Sequence, residues 1–379
     1  MTEQKVIFNK HPDTSKSRKN IKTKYLNIIK KQKLEGGMII NDKDATNTAL
    51  GYEIIKNLSK KLIRLEIIDM LKFSRPAKMT SPISLHTCVA NEWVRTDLLI
   101  KASKEEDPIE RMKYLISFCV SGVHQGPMIC RSRAPFNPIL GETYQAYQPD
   151  GSYVYMEQTE HHPPTFNYLI WGPDHIFELM GYGAVYAHLD GLNTIKGWRE
   201  GKNILKFKDG SMITFNNFNT RINGVIMGDR IYNYYGDLVI KDFKYKVEGI
   251  CKLEDELKEG MLSKLFYGKK DAQYDEMKIE IRQLNPETKE KELKATGIGS
   301  WLGQLLFDGK EYWSINDTPR RWIQDGLFLL PSDSMKREDL VAVIKNDYDL
   351  AQKEKERLEE LQRTDQKKRD EWKKKNPNN

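Results

Sequence analysis

The stretch EQTEHHPP, from Glu157 to Pro164, says most about how this chain folds. Proline fixes its own φ angle and biases the residue before it toward extended geometry, so a helix cannot run through His162 and Pro163. The preceding segment, SYVYMEQ, alternates in the manner of a β-strand. We therefore predict a strand that ends at the histidines, where a turn can bring both imidazoles onto one ligand.

Adjacent histidines alone are a weak signal, because most such pairs are ordinary surface or core residues. This octapeptide, however, matches the signature EQVSHHPP at all positions except Thr159 and Glu160. It thus resembles the oxysterol-binding-protein-related family of lipid transfer proteins. The resemblance implies that His161 and His162 contact the monoester phosphate of phosphatidylinositol 4-phosphate at the mouth of a lipid tunnel. Glu160 would weaken anion binding there unless its side chain points away.

Three other segments are similar to the family independently of the octapeptide, and a weaker match is SPISL at 81–85. They are DPIERMKYLISFCVSG from Asp107, APFNPILGE from Ala134 to Glu142, and KERLEELQR from Lys355 to Arg363. The first and third resemble helical segments of the family. The family's headgroup-binding lysine falls on Ala134, so its charge is missing here, and Arg133 is the candidate compensating residue.

The resemblance implies a set of headgroup-binding residues: Phe136, Asn137, His161, His162, Lys355, Glu359 and Arg363. The last three are spaced by four, which places them on one helical stripe. A guanidinium grips phosphate oxygens with two N–H groups, an ammonium adds a point charge, and a carboxylate accepts from ring hydroxyls. A stripe of this kind also commonly does no more than solvate a helix face.

Composition narrows the class of protein. The four cysteines, Cys88, Cys119, Cys130 and Cys251, form no CxxC pair and no zinc spacing, so we expect no metal and no cofactor. Without a signal peptide or an apolar run that could cross a bilayer, the sequence predicts a cytoplasmic protein that is peripheral and transient at membranes. We also expect the short form of the family, without an accessory membrane-targeting domain.

The formal charge of +7 is concentrated near the N-terminus, where residues 1–35 hold ten Lys or Arg against three Asp or Glu. We predict a basic, flexible arm over 1–45, with a linker at Gly36 and Gly37. Such an arm suits anionic membrane surfaces, where each basic residue contributes about 1 kcal/mol. A disordered arm that only aids solubility fits the same composition. Nucleic acid is not expected, since no recognition motif accompanies the charge.

Residues 46–379 are predicted to form a single lipid-binding domain. Its parts are an N-terminal helical lid at about 46–75, a helical segment at about 76–130, a barrel at about 131–315 and a C-terminal helical region at about 316–379. Beyond Pro331 we expect one long helix that runs to Trp372. The fold class is mainly β with flanking α. The resemblance implies a large, nearly closed antiparallel β-barrel that encloses a lipid tunnel.

The resulting functional prediction is an intracellular lipid transfer protein that binds phosphatidylinositol 4-phosphate and a second lipid alternately. The family analogy favours sterol as the second lipid, with phosphatidylserine as the alternative. A lipid-dependent sensor or scaffold without net transport fits almost as well. An enzyme that uses His161 or His162 would need a positioned nucleophile or a third metal ligand, and none is evident in the sequence.

Overall fold

The structure is a computed structural model that describes residues 37–40, 68–69, 75–191, 193–226, 228–253 and 275–376. Most of the predicted N-terminal arm and of the predicted lid at 46–75 lies outside these ranges. Within the arm, Met38 and Ile39 form a short strand that pairs with Tyr232 and Ile231. This part of the arm is buried against the domain.

Nineteen strands are described, and seventeen of them belong to one sheet, with β3 and β4 forming a separate parallel pair. The strands are β1 (Met38–Ile39), β2 (Ile68–Asp69), β3 (Thr80–Ser84), β4 (Ala134–Phe136), β5 (Thr143–Tyr147), β6 (Tyr153–Glu160), β7 (Thr165–Trp171), β8 (Phe177–Asp190), β9 (Thr194–Glu200), β10 (Asn203–Phe207), β11 (Met212–Phe215), β12 (Asn219–Asn223), β13 (Ile231–Tyr235), β14 (Asp237–Asp242), β15 (Val247–Leu253), β16 (Glu276–Leu284), β17 (Lys291–Ser300), β18 (Gln304–Phe307) and β19 (Lys310–Ser314).

The large sheet is antiparallel and branches at the long strand β8. The first half of β8 pairs with β10, which continues through β11 and β14 to β19. Its second half pairs with β9, which continues through β12 and β13 to β1. The mainly β, antiparallel part of the prediction is confirmed. Among the described strands no ladder joins β5 to β19, so closure into a barrel is not observed.

Six α-helices are described: α1 (Leu85–Glu92), α2 (Thr96–Lys104), α3 (Pro108–Ser121), α4 (Gln125–Cys130), α5 (Glu338–Ile344) and α6 (Tyr348–Lys375). Helix α3 begins where the sequence predicts, because the Asp107 carboxylate accepts from the Ile109 amide at 2.8 Å and Pro108 occupies the first turn. It packs closely on β15, where a Cβ on Gly249 would lie 2.9 Å from Met112 and Ile116. Within the described ranges, every helix is too short or too polar to span a bilayer.

The single long C-terminal helix that we predicted is wrong, because two helices occupy the region. Asn346 has φ 62°, a left-handed conformation that a continuous right-handed helix does not contain. Asp347 then caps α6, accepting from the Leu350 amide at 3.0 Å. The chain therefore turns between α5 and α6, and α6 alone runs past the predicted end at Trp372 to Lys375.

A small second core joins these two helices to the rest of the domain. It contains Ala77, Phe136, Met335, Leu340, Ala342, Val343 and Ala351. Beside it, the buried Arg337 guanidinium donates to Glu142 at 2.6 Å and to Asp339 at 2.8 Å. Arg337 also donates to the Asn137 carbonyl at 2.9 Å. Glu142 accepts in addition from the Ser84 hydroxyl at 2.5 Å, so one charge network connects the end of β3, the loop between β4 and β5, and the start of α5.

Replacing Glu142 by Ala should lower the free energy of unfolding by about 3 kcal/mol, because it leaves the buried Arg337 with only one of its two carboxylates. The measurement is urea unfolding. Glu338→Ala is the matched control, since that carboxylate is exposed and, among the described residues, pairs with the half-exposed Arg357 at 3.3 Å. Equal stability losses in the two variants would contradict a structural role for the buried network.

Candidate functional site

The two histidines lie in the turn that joins β6 to β7, which confirms the predicted strand end. Residue Glu160 is the last of β6 and Thr165 is the first of β7. The turn is held by the Val185 amide, which donates to the Pro164 carbonyl at 2.8 Å, and by the Thr165 hydroxyl, which donates to the Pro163 carbonyl at 3.0 Å. The backbone under the imidazoles is therefore fixed on both sides.

The two imidazole rings face each other, with centroids 3.9 Å apart and planes inclined by 33°. The buried Gln362 amide nitrogen of α6 lies 2.8 Å from His161 Nδ1. Because an amide N–H can only donate, Nδ1 accepts, and the proton of the neutral ring sits on Nε2. His161 thus presents an N–H donor at the atom that faces away from the helix contact.

Electrostatics link His161 to two of the predicted helix residues. Burial lowers the pKa of His161 below its ordinary value, and the adjacent His162 lowers it further. The Glu359 carboxylate acts in the opposite direction, and the Arg363 guanidinium lowers the pKa again. Both charges are therefore close enough to act on the ring, which is neutral at pH 7.

Only part of the predicted stripe lies on the buried face of α6. Lys355 is buried and pairs with the half-buried Glu359, whereas Arg363 is exposed and pairs with Glu360 at 2.7 Å. Steps of four residues rotate by about 40° on a helix of 3.6 residues per turn, so the third member has moved away from the packed face. The buried face itself follows Ala351, Lys355, Leu358 and Gln362.

A cleft of about 780 Å³ opens between the histidine turn and the end of α6. It is lined by Thr159, Glu160, His161, His162, Pro163, Thr165, Asn167, Tyr182, Ala184, Gln366, Arg369, Asp370, Trp372 and Lys373. Glu160 does not point away from the histidines, as anion binding would require, but faces the same cleft. Its carboxylate lies 3.5 Å from the Lys373 ammonium, which explains its orientation.

The loop predicted to shape the headgroup site lies apart from this cleft. Phe136 is 2% exposed and packs in the second core, under the Arg337 guanidinium at 5.1 Å. Asn137 is exposed, and its carbonyl accepts from Arg337. Neither residue lines the cleft, and neither do Ala134 and Arg133. The structure thus assigns Phe136 a packing contact, while the headgroup roles of the predicted residues stay predictions.

Sequence reasoning missed the residues that α6 contributes to the cleft, which are Gln366, Arg369, Asp370, Trp372 and Lys373, and also Gln362, which contacts His161. The signal that finds them is the alternation of three- and four-residue steps from Ala351 through Leu358, which a helix needs to keep one face on its partner. In the described part of the chain, no three His, Cys, Asp or Glu residues cluster so as to hold a metal ion.

Comparisons with known proteins agree with one another. The model of the family described as oxysterol-binding protein matches residues 61–378. "Oxysterol-binding protein 9" of Dictyostelium discoideum is 30% identical over 331 residues, which cover 84% of this chain and 75% of that protein. "Oxysterol-binding protein-related protein 6" of Homo sapiens is 30% identical over 218 residues, which cover 55% of this chain but 21% of that longer protein.

Two solved structures share the fold. The Osh3 ORD from Saccharomyces cerevisiae, in complex with PI(4)P, superimposes with a TM-score of 0.66 at 22% identity and covers 84% of each chain. The Osh1 ORD domain, in complex with cholesterol, gives a TM-score of 0.69 at 22% identity, with 95% of this chain and 89% of that chain covered. At this identity the likeness establishes the fold alone.

The electrostatic action of Glu359 and Arg363 on His161 can be tested by following the His161 ring through a pH titration by NMR. We expect a midpoint below 6.5 in the unmodified protein. Arg363→Gln should raise the midpoint, because it removes a repelling charge, and Glu359→Gln should lower it, because it removes an attracting one. Arg357→Gln, on the same helix, should leave it unchanged. A midpoint that neither substitution moves would contradict the geometry.

Proposed function

The chain belongs to the oxysterol-binding protein family, and we propose that it is a lipid transfer protein that binds phosphatidylinositol 4-phosphate and a second lipid alternately. The observation that carries the proposal is the paired imidazole turn, fixed by backbone hydrogen bonds and facing a cleft beside α6. A structural neighbour with the same fold is described in complex with PI(4)P. Binding and exchange require no covalent chemistry.

In this proposal the phosphate lies against the histidines. The Nε2–H of His161 donates to a phosphate oxygen, and His162 contributes a second ring at 3.9 Å centroid distance. Arg363 swings from the exposed Glu360 to the phosphate, which offers a greater charge than one carboxylate. Lys355 and Glu359 complete the inositol side of the site.

A carrier must also hide the apolar part of its cargo. Burying about 400 Å² of lipid surface contributes roughly 10 kcal/mol, so we propose a nearly closed barrel with an enclosed tunnel. Support comes from β9, where both faces are only half-buried from Thr194 to Arg199. A cavity of about 20 Å³ beside β9, lined by Glu92, Trp93, Arg199 and Tyr234 among others, has room for about one water molecule, so a lipid would need more space than these residues leave.

We propose sterol as the second lipid, with phosphatidylserine as the competing candidate. The support is the fold of the Osh1 ORD, which is described in complexes with ergosterol and with cholesterol. The two lipids differ in what they demand of the protein, because a sterol has one hydroxyl whereas phosphatidylserine carries a charged headgroup that needs partners.

The proposal predicts that changing His161 and His162 together to Ala abolishes extraction of phosphatidylinositol 4-phosphate from liposomes. The reason is that the phosphate loses its ring donors. The matched control is His175→Ala combined with His188→Ala, which removes two imidazoles outside the cleft and should leave extraction intact. Equal thermal midpoints would show that both proteins are folded. Normal extraction by the His161 and His162 variant would refute the headgroup assignment.

The second cargo can be identified among the lipids that copurify with the protein. We expect mass spectrometry to detect a sterol, and phosphatidylinositol 4-phosphate should displace it, because both occupy one tunnel. Displacement of phosphatidylserine instead would support the competing candidate. Simultaneous binding of both lipids would contradict alternate occupation.

A further inference from the structure

The end of α6 presents two cations to the histidine turn, and the helical repeat explains why. Leu358 and Gln362 are buried, and Gln362 contacts His161. Continuing from Gln362 by steps of four, three and four residues leads to Gln366, Arg369 and Lys373. Such steps keep side chains on one helical face. Arg369 and Lys373 therefore lie on the face that carries the Gln362 contact to His161.

Both cations contact the strand that leads into the histidines. One guanidinium nitrogen of Arg369 donates to the Thr159 carbonyl at 3.3 Å, and the Lys373 ammonium lies 3.5 Å from Glu160. A guanidinium has five N–H donors, so Arg369 keeps most of its donors available to the cleft. The side chains of Lys373 and Glu160 are more than half exposed, at 63% and 51%, so water screens their pairing.

We infer that Arg369 and Lys373 form the cationic wall of a binding site for a phosphomonoester, with Glu160 as an internal competitor for Lys373. This inference rests on the proposed function. It assigns to Arg369 and Lys373 the positive charge that the family's lysine supplies at the position of Ala134. Arg133, the candidate from sequence, does not line the cleft, whereas Arg369 and Lys373 do. The positive charge opposite the histidines comes from the helix end and not from β4.

Charge balance determines how the site responds to its ligand. The lining contains two cations, Arg369 and Lys373, and two carboxylates, Glu160 and Asp370. Asp370 accepts from the Gln366 amide at 2.8 Å. A phosphomonoester accepts two parallel hydrogen bonds from the Arg369 guanidinium. Because it carries about −1.5 to −2 charges at pH 7, it also displaces the singly charged Glu160 carboxylate from Lys373.

The test compares Arg369→Gln, Lys373→Gln and Glu160→Gln with Lys368→Gln, which removes a charge next to Arg369 but outside the cleft. The probes are phosphatidylcholine vesicles with phosphatidylinositol 4-phosphate, vesicles with phosphatidylinositol and phosphatidylserine at equal surface charge, soluble inositol 1,4-bisphosphate, and inorganic phosphate. All four positions are on the exposed end of α6 or at the cleft rim, and thermal midpoints check that folding is unchanged.

We expect Arg369→Gln and Lys373→Gln each to weaken binding of the phosphomonoester probes about fivefold. Glu160→Gln should strengthen it about threefold, and Lys368→Gln should have no effect. When Glu160→Gln is already present, Lys373→Gln should cause a larger loss of affinity for these probes, because no carboxylate then competes for Lys373.

Three results would overturn the inference. The first is normal binding by Arg369→Gln and Lys373→Gln while the His161 and His162 double variant loses binding, which leaves the proposed function standing. The second is an equal loss on vesicles without the monoester, which would make the two cations a general membrane contact. If the unmodified protein binds none of the phosphomonoester probes, the proposed function and this inference fail together.

Discussion

The buried Arg337 guanidinium is the interaction on which the arrangement of the site depends. It holds Glu142 and Asp339, which belong to the loop before β5 and to the first turn of α5. Residue Glu142 is also paired through its backbone with Gln158 of β6, at 2.9 Å. One charge therefore connects the C-terminal helices to the strand that ends at the histidines. Because a buried unpaired charge is costly, the connection is strongly favoured in the folded state.

The rotational setting of α6 about its own axis determines which of its residues reach the histidine turn. The buried residues of α6 follow alternating steps of three and four, so Gln362 contacts His161 and Lys373 near the helix end lies beside Glu160. A stripe with steps of four, such as Lys355, Glu359 and Arg363, turns gradually out of that face. The helix thereby brings Gln362 and Lys373 to the histidine turn in addition to the residues that a motif comparison indicates.

Much of the architecture follows from local sequence. The strand end at His161, the start of α3 at Asp107 and the antiparallel sheet all depend on prolines, caps and alternation, which act over a few residues. The burial of Phe136 and the orientation of Glu160 could not be predicted, because each depends on a partner distant in sequence. The break at Asn346 is local, since it follows from the left-handed Asn346 and the Asp347 cap, and the composition of this segment obscured it. Closure of the sheet depends on long-range pairing, which no local pattern specifies.

The length of α6 beyond its last buried residue has a mechanical consequence. After Gln362 the helix continues to Lys375, and its contacts with the cleft are a screened ion pair and one hydrogen bond to a carbonyl. A segment held so loosely opens at little cost in free energy, whereas the hairpin opposite is clamped. Entry of a bulky headgroup can then proceed by bending the exposed last turns of α6 away from the hairpin, with the hydrophobic interior left undisturbed.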